Sequence, residues 1–126
     1  MNYAKILTVG LGLWAGAAMA ADFAPYTAEQ FSALNGKPGE VVVDVHATWC
    51  GTCAAQQAAL KTLLDTDKYK KVTVLVVDFD TQKDAMSKFS VSQRSTLIVF
   101  HSGKEKARAT GVTSPGQIAA LLDTGL

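Results

Sequence analysis

Three segments of the chain are almost continuously apolar and rich in β-branched residues: 40–47 (EVVVDVHA), 71–80 (KVTVLVVDFD) and 95–100 (STLIVF). A strand with one face in water alternates apolar and polar side chains, whereas these segments barely alternate. The pattern therefore predicts three strands that are buried on both faces. A more polar strand at 106–112 follows the turn-like HSGKE at 101–105, so the last two strands are expected to form a hairpin.

Segments that favour helix lie between and beyond these strands. The alanine- and leucine-rich segment 50–64 and the shorter segment 82–89 both have high helix propensity. Thr27 and Ser114 each begin a capping box that is completed by a glutamine three residues later. Two further helices are therefore predicted, one near each end of the folded part of the chain.

The order of these elements predicts an α/β fold. Strands that alternate with helices pair in parallel through right-handed crossovers, while a hairpin adds antiparallel strands. We expect a mixed central β-sheet flanked by helices, with room for a short first strand in 22–27 (DFAPYT). The side chains of 50–64 that are expected to face the core are Ala55, Ala58 or Ala59, Leu60, Leu63 and Leu64.

The first residues of the chain have the features of a secretory signal peptide. Lys5 supplies a positive charge, ILTVGLGLWAGAA an apolar region, and the AMA sequence that ends at Ala20 a cleavage site. We therefore expect residues 1–20 to be removed, leaving a single domain at 21–126 in the periplasm or an equivalent exported location. The alternative is an uncleaved membrane anchor, but the uncharged run at 6–21 is shorter than the roughly 20 residues that span a bilayer.

The charge of the chain argues against nucleic acid as a partner. Twelve basic and eleven acidic residues are present, and loss of the segment that contains Lys5 leaves eleven of each. A protein that binds nucleic acid or an anionic membrane surface presents a strongly basic face. This balanced composition does not favour either kind of partner.

The only two cysteines, Cys50 and Cys53, lie where the first buried strand gives way to a helix. They could form a structural staple, part of a metal site or an exchangeable disulfide. A bridge across two residues constrains the unfolded chain little, and stapled small domains carry four or more cysteines. A structural zinc ion needs four ligands, whereas His46 and His101 lie on separate predicted strands. The pattern therefore favours an exchangeable disulfide.

The position of the pair also suits that chemistry. A thiolate, rather than a thiol, attacks a disulfide, and a helix N-terminus stabilises negative charge through unpaired N–H groups and the macrodipole. Cys50 is placed to benefit from this, and Cys53 lies one turn further along the helix, within reach of it. Gly51 is expected to permit a close approach, and Trp49 to offer an apolar surface beside the attacking sulfur.

The segment VVVDVHATWCGTC at 41–53 resembles the active-site strand and the W-C-G-P-C motif of thioredoxins, and 95–123 is similar to their C-terminal portion. The likeness covers 27–126. It implies a thioredoxin fold and thiol–disulfide oxidoreductase activity without a cofactor. It also implies that Cys50 is the exposed nucleophile, that Cys53 is the buried resolving thiol, and that the two form the redox-active disulfide.

Further roles follow from the resemblance one position at a time. Asp44 matches the buried acid that moves protons to and from the resolving thiol, and burial among apolar residues is expected to raise its pKa. Gly111 matches the glycine that keeps the substrate-docking surface flat. We expect the client-binding surface to consist of the residues around the cysteines: Trp49, Gly51, Thr52, Arg94, Ser95 and Gly111.

Four positions depart from the family pattern. Thr52 replaces the proline of the motif, which adds an N–H donor and is expected to make the pair less reducing. His46 replaces a tryptophan, and Ala58 replaces a proline that kinks the helix. Finally, Arg94-Ser95 stands where the family has a cis-proline opposite the cysteines. A cis bond before serine costs about 2.5–4 kcal/mol, so a trans bond is expected.

The change at Ser95 leads to three expectations. The family proline shields the two sulfurs, so serine is expected to leave them more exposed. Arg94 is expected to place a positive charge near Cys50 and to lower its pKa. Mixed disulfides with Cys50 are expected to resolve slowly, which would narrow the range of clients.

We therefore expect a monomeric, exported reductant of protein disulfides that a membrane thiol reductase keeps reduced, because exported proteins meet an oxidising environment. No metal site within one chain is expected. Two alternatives stay open. One is a redox-inert module, or one in which two chains share an iron–sulfur cluster through four cysteines. The other is a weak oxidase or isomerase.

Overall fold

One mixed β-sheet of five strands, flanked by helices, forms the centre of the protein. The computed structural model describes residues 23–126, and the predicted signal peptide (1–20) lies outside the described residues. The strands are β1 (Phe23–Pro25), β2 (Glu40–His46), β3 (Thr73–Asp78), β4 (Thr96–His101) and β5 (Lys104–Thr110), and the helices are α1 (Ala28–Asn35), α2 (Gly51–Leu64), α3 (Lys83–Lys88) and α4 (Pro115–Asp123). None of the helices in the described residues is both long and apolar enough to cross a membrane. The predicted α/β fold class is confirmed, and the short first strand is present.

The strands follow the order β1-β3-β2-β4-β5 across the sheet. Strands β1 and β2 run parallel to β3, whereas β4 runs antiparallel to both β2 and β5. Strand β2 is therefore central, and both of its faces are covered. Val43 packs in a cluster that contains Phe31 of α1 and residues of α3, while Val42 packs in a second cluster with Leu60 of α2 and residues of α4. This two-sided burial explains why the segment is apolar without alternation.

The predicted caps of the first and last helices are present. The Thr27 and Ser114 hydroxyl oxygens accept hydrogen bonds from the backbone N–H groups three residues later, at 3.1 and 3.3 Å. Pro115 occupies the start of α4, where its missing N–H would have no helical partner. Gly125 follows the end of this helix and is closely packed. A Cβ atom at Gly125 would lie 2.6 Å from Cγ1 of Val99, too close for any larger residue.

Helix α2 buries a face that differs in part from the predicted one. The prediction of Ala55 in the core is wrong because this side chain is exposed, and of the two alternatives Ala59 is buried and Ala58 is exposed. Alanine side chains give little contrast between an inward and an outward face of a helix, and the prediction did not include Gln56. The buried residues of the helix are Cys53, Gln56, Ala59, Leu60 and Leu64.

Strands β4 and β5 are joined by a tight turn. Its central residues, Ser102 and Gly103, both have positive φ, at 50° and 85°. Two such residues form the type I′ turn that matches the twist of a hairpin. The turn is therefore shorter than the predicted segment 101–105, because β4 ends at His101 and β5 begins at Lys104.

The two edges of the sheet, β1 and β5, differ in how they face solvent. Strand β1 has only three residues and ends at Pro25, which has no backbone N–H to donate. Strand β5 is longer and carries exposed charges at Lys104, Lys106 and Arg108. The Arg108 guanidinium pairs with the Glu105 carboxylate at 2.7 Å.

Candidate active site

Cys50 lies at the junction between β2 and α2, where it serves as the N-cap of the helix. Its φ and ψ of −97° and 112° are extended, as an N-cap requires, and its N–H donates to the Ala47 carbonyl at 3.1 Å. The Cys50 Sγ accepts a hydrogen bond from the backbone N–H of Cys53 at 3.1 Å. The sulfur therefore takes the position in which a capping oxygen meets the free N–H groups and the positive end of the helix dipole.

Both cysteines are more enclosed than expected. Cys53 is fully buried, as the resemblance implied, but Cys50 is only 5% exposed, so the expectation of an exposed nucleophile is wrong in degree. The reason is the loop before β4, which lies against both sulfurs. Both residues are free thiols in the structure, and the disulfide between them stays a prediction.

Ser95, in the loop before β4, is the residue that covers the sulfurs. Its Oγ lies 3.1 Å from Sγ of Cys53 and 3.4 Å from Sγ of Cys50. No cis peptide bond occurs in residues 23–126, as expected for a serine at this position. The expectation that serine would expose the sulfurs more is wrong, because Ser95 is itself only 5% exposed and its hydroxyl fills the space beside them.

The surroundings of Cys50 favour its thiolate form. Desolvation raises the pKa of this thiol, but hydrogen bonds from the Cys53 thiol, the Ser95 hydroxyl, the Cys53 backbone N–H and the Arg94 guanidinium outweigh it, so that the pKa falls from 9.0 to about 7. Burial and the hydrogen bond to Cys50 raise the pKa of Cys53 instead. The two thiols thus differ in the way that an attacking and a resolving cysteine should.

Arg94 lies beside the cysteines and stacks on a neighbouring aromatic ring. Its guanidinium carbon lies 4.8 Å from the centre of the Trp49 ring. Trp49 is held in turn by its Nε1, which donates to the Asp80 carboxylate at 2.9 Å, yet 58% of the residue is exposed. Trp49 and Arg94 therefore form an exposed surface next to Cys50, and their contact with a client stays a prediction.

Replacing Arg94 by alanine is expected to raise the pKa of Cys50 by about half a unit or less, since the Arg94 guanidinium is the weakest of the four groups that favour the thiolate. Titration of the thiolate by its ultraviolet absorbance measures this pKa directly. Lys106→Ala, which removes an exposed cation from β5, is the matched control. A titration curve for Arg94→Ala that overlays the wild-type curve would remove Arg94 from this account.

Asp44 lies in the middle of β2 and is fully buried. Its Oδ2 accepts a hydrogen bond from Nε2 of Gln57 at 3.2 Å, while its Oδ1 has no partner in the described residues. Burial raises the pKa of this carboxyl from 3.8 to about 6, against a smaller lowering by the Gln57 amide. The expected rise in the pKa of Asp44 is therefore present, and the carboxyl can gain or lose a proton near neutral pH.

Gln56 is a residue of the site that was not predicted from the sequence. It is fully buried on α2, one turn after Cys53, and its Nε2 donates to the carbonyl oxygens of Ser95 at 3.1 Å and Val112 at 2.9 Å. The available signal was its spacing. Cys53, Gln56 and Leu60 are three and four residues apart, which places them on one face of a helix.

The remaining predicted residues lie around the same centre. Gly51 and Thr52 form the exposed first turn of α2, and a Cβ atom at Gly51 would meet nothing within 4 Å. The fold itself therefore does not require a glycine there. Gly111 is exposed with a φ of 80°, and its N–H donates to the Ser95 carbonyl at 2.8 Å. This left-handed conformation favours glycine and keeps the surface beside Ser95 free of a side chain.

Within residues 23–126, no group of three or more histidine, cysteine or acidic side chains is arranged to hold a metal ion. His46 ends β2, whereas His101 pairs with Glu40 at the other end of the same strand. His101 is also engaged elsewhere, because its Nδ1 lies 2.7 Å from the Gly125 carbonyl oxygen. The two histidines therefore cannot join the cysteines in one site.

Comparison with known proteins identifies the family. A family model described as Thioredoxin matches residues 22–124 of this chain. The thioredoxin of Chlamydia trachomatis serovar D is 34% identical over 84 residues, which cover 67% of this chain and 80% of that protein. Thioredoxin-1 of Saccharomyces cerevisiae is 33% identical over 85 residues, or 68% of this chain and 81% of that protein.

The solved structures give the same result. The crystal structure of Trxlp from Edwardsiella tarda EIB202 is similar to this chain with a TM-score of 0.77 and 38% sequence identity, and the match covers 79% of this chain and 97% of that one. A Malassezia sympodialis thioredoxin matches with a TM-score of 0.72 and 25% identity over 83% of this chain and 93% of that one. Sequence, fold and the paired thiols at the start of α2 agree: the chain belongs to the thioredoxin family and is a protein thiol–disulfide oxidoreductase.

Proposed function

We propose that this protein is an exported reductant that transfers electrons to protein disulfides through Cys50 and Cys53. The observation that carries the proposal is the environment of the Cys50 Sγ, which caps α2, accepts the Cys53 N–H at 3.1 Å and has a pKa lowered to about 7. At neutral pH about half of such a thiol is thiolate. Cys50 is therefore ready to attack without a separate base.

The reaction follows from the two thiols. The Cys50 thiolate attacks one sulfur of a client disulfide, so that a bond from Cys50 to the client forms, the client S–S bond breaks and one client thiolate leaves. Cys53 then attacks the Cys50 sulfur, which forms the Cys50–Cys53 disulfide and releases the second client thiolate. Two electrons pass from the protein dithiol to the client, and the client thiolates take up protons.

Cys53 must lose its proton before it attacks, and we assign the acceptor role to Asp44. Three properties support this assignment: the carboxyl is fully buried in β2, its Oδ1 has no partner in the described residues, and its pKa lies at about 6. A carboxylate with such a pKa accepts a proton near neutral pH and can later return it.

The compartment and the electron donor are part of the same proposal. The signal-like features that end at Ala20 support export to the periplasm or an equivalent location. Outside the cytoplasm a reductant must be re-reduced, and a membrane thiol reductase is the class of partner that can carry electrons across. The short β1 and the charged β5 disfavour pairing of two sheets edge to edge, which supports a monomer.

Insulin reduction with dithiothreitol as electron source tests the activity. Wild-type protein is expected to accelerate precipitation of the insulin B chain, whereas Cys50→Ser should show only the background rate of dithiothreitol alone. Serine is nearly isosteric with cysteine, so the variant should keep the fold, which circular dichroism checks. Equal rates for wild-type protein and Cys50→Ser would contradict the proposal and favour a redox-inert module.

The direction of electron flow is tested by the reduction potential of the Cys50–Cys53 pair, measured by equilibration with glutathione. A potential below about −200 mV is expected, because reducing thiol–disulfide oxidoreductases have potentials in that range. A value well above it, close to that of oxidases, would overturn the assignment as a reductant and leave the oxidase or isomerase alternative.

A further inference from the structure

We propose that the Ser95 hydroxyl is a catalytic hydrogen-bond donor that serves the two active-site sulfurs in turn, and that Gln56 is the residue that positions it. The proposal rests on the proposed function, because it assigns roles within the same exchange reaction. Neither role requires a group outside the chain. Ser95 touches both reacting sulfurs, whereas Gln56 acts only through Ser95.

The geometry allows one hydroxyl to reach both sulfurs. The Ser95 Oγ lies 3.4 Å from Sγ of Cys50 and 3.1 Å from Sγ of Cys53, so each separation is within hydrogen-bond range for sulfur. A serine hydroxyl has a single hydrogen, so it donates to one acceptor at a time. Rotation about the Cβ–Oγ bond moves only this hydrogen, and the change of acceptor needs no movement of the backbone.

The reaction requires such a change of acceptor. In the dithiol form the negative charge lies on Cys50, which is the better acceptor for the Ser95 hydrogen. Once Cys50 is bonded to the client sulfur it is neutral, and the charge must appear on Cys53 when this thiol loses its proton. The hydroxyl can then donate to the Cys53 thiolate, which lowers the free energy of the buried anion before it attacks.

Bonds and charges balance in the resolving step. Cys53 gives its proton to the Asp44 carboxylate, and the Cys53 thiolate forms a bond to the Cys50 sulfur with its electron pair. The bond from Cys50 to the client breaks, and the client sulfur leaves with that pair and takes up a proton. Ser95 keeps its own proton throughout, because it donates a hydrogen bond and does not transfer the hydrogen.

The backbone holds Ser95 in place on both sides. Its N–H donates to the Val45 carbonyl at 2.8 Å, and its carbonyl accepts from the Gly111 N–H at 2.8 Å. The same carbonyl accepts from Nε2 of Gln56 at 3.1 Å. Ser95 adopts a φ of 59°, a left-handed conformation that is unfavourable for a residue with a Cβ atom. These bonds offset that strain and fix where the hydroxyl lies.

Gln56 is the side chain that links this loop to the cysteine helix. Its amide is fully buried, and its Nε2 donates to the carbonyls of Ser95 and Val112, while its Oε1 has no partner in the described residues. Burying an amide with an unpaired oxygen costs free energy that an apolar side chain would avoid. What the amide contributes is two donors that tie the loop of Ser95 to the helix of Cys53.

Substitution of Ser95 tests the donor role. Ser95→Ala is expected to raise the pKa of Cys50 by about one unit and to slow the resolving step about tenfold, as for the loss of one hydrogen bond to a charged group. Ser95→Gly removes the hydroxyl but suits the positive φ, and it should give the same changes. Ser102→Ala is the matched control, because Ser102 also has a positive φ, at 50°, but is exposed in the β4–β5 turn.

Two readouts are used for these variants. The pKa of Cys50 is taken from the thiolate absorbance, and the resolving step is taken from the second phase of thionitrobenzoate release after mixing with Ellman's reagent. Wild-type behaviour of Ser95→Ala in both readouts would overturn the donor role. So would normal behaviour of Ser95→Gly beside a defect in Ser95→Ala, because both variants lack the hydroxyl and its loss could not then be the cause of the defect.

A double-mutant cycle tests the role of Gln56. Gln56→Met keeps a similar shape but removes both donors, and it is expected to raise the pKa of Cys50 in the same direction as Ser95→Ala. In a chain that already carries Ser95→Ala, adding Gln56→Met should cause no further change. Equal effects of Gln56→Met with and without the serine would show that Gln56 does not act through Ser95.

These outcomes separate the two proposals. The pKa of Cys50 is measured without any client, so it tests Ser95 even where insulin reduction is absent. If the wild-type protein does not reduce insulin but Ser95→Ala raises the pKa of Cys50 as expected, only the proposed function is contradicted. If the wild-type protein reduces insulin but the pKa of Cys50 is the same in Ser95→Ala as in the wild-type protein, only the role of the hydroxyl is contradicted.

Discussion

A Cys53→Ser variant is expected to stop at the mixed disulfide and to release one equivalent of thionitrobenzoate from Ellman's reagent, whereas wild-type protein should release two. The chain has only two cysteines, so this variant keeps Cys50 as its single thiol. Cys50 can still attack, since the backbone N–H of residue 53 that donates to its sulfur remains. No second thiol of the same chain can then resolve the adduct.

The lifetime of that adduct should be long. An attacking group held in place within one molecule is equivalent to a very high concentration of the same group in solution, so its loss should slow release by about a thousandfold or more. Mass spectrometry of the variant should show the adduct. Cys50→Ser is the control, because its remaining thiol on Cys53 is fully buried and has a raised pKa. A reaction of Cys50→Ser as fast as that of Cys53→Ser would contradict the assignment of Cys50 as nucleophile.

An Asp44→Asn variant is expected to gain stability over the wild-type protein as the pH rises. Burial raises the folded-state pKa of this carboxyl from 3.8 to about 6, so the native state resists its ionisation. Below pH 3.8 both states are protonated and the carboxyl adds no pH-dependent penalty. Between 3.8 and 6 the unfolded state loses the proton first, and the native state becomes less stable until the pH passes 6.

The size of this effect follows from the two pKa values. A difference of about two units corresponds to about 3 kcal/mol of unfolding free energy at alkaline pH, which asparagine does not incur. Urea denaturation measures the unfolding free energy at about pH 4 and about pH 8, both with reductant present. The difference between the variant and the wild-type protein should increase by nearly this amount from the lower to the higher pH, in favour of the variant. Asp65→Asn, at the exposed end of α2, is the control. If the difference in unfolding free energy between Asp44→Asn and the wild-type protein is the same at both pH values, Asp44 does not titrate as described.

The same variant should be slower as a catalyst. Asparagine cannot accept the Cys53 proton, so the resolving step is expected to slow about a hundredfold near neutral pH, as for the loss of a general base. The variant is therefore expected to be more stable but less active than the wild-type protein, because the buried carboxyl lowers stability and is needed for the reaction. Wild-type resolution in Asp44→Asn would assign the proton to solvent instead.

Local patterns in the sequence were sufficient to predict most of the fold. The β-branched run in β2 is apolar without alternation because both faces of the central strand are covered, and Thr27 and Ser114 cap helices because their hydroxyl groups act within three residues. Both can be recognised within a short segment: the caps act between near neighbours, and a strand that the tertiary fold covers on both faces has a continuous apolar run of its own. The position of the cysteines between a buried strand and a helix could be predicted for the same reason.

The features that were missed depend on distant parts of the chain. Gln56 bonds to carbonyls that lie 39 and 56 residues further along, and no local pattern reports such partners. Ser95 meets the two sulfurs from 45 and 42 residues away, and this contact is why the expected exposure of Cys50 was wrong. Where a loop lies relative to a helix is set by tertiary packing, so the enclosure of the site became visible only in the structure.

The two edges of the sheet bear on how an encounter with a client ends. A protein whose disulfide is accessible is often partly unfolded, and its extended chain can add to a free strand edge and remain there. Here one edge offers three residues that end at Pro25, and the other is lined by solvated charges at Lys104 and Lys106. Adhesion by strand addition is disfavoured at both edges, whereas the bond to Cys50 is broken by the reaction itself. Release is thus tied to completion of electron transfer, and the protein is freed for its next turnover.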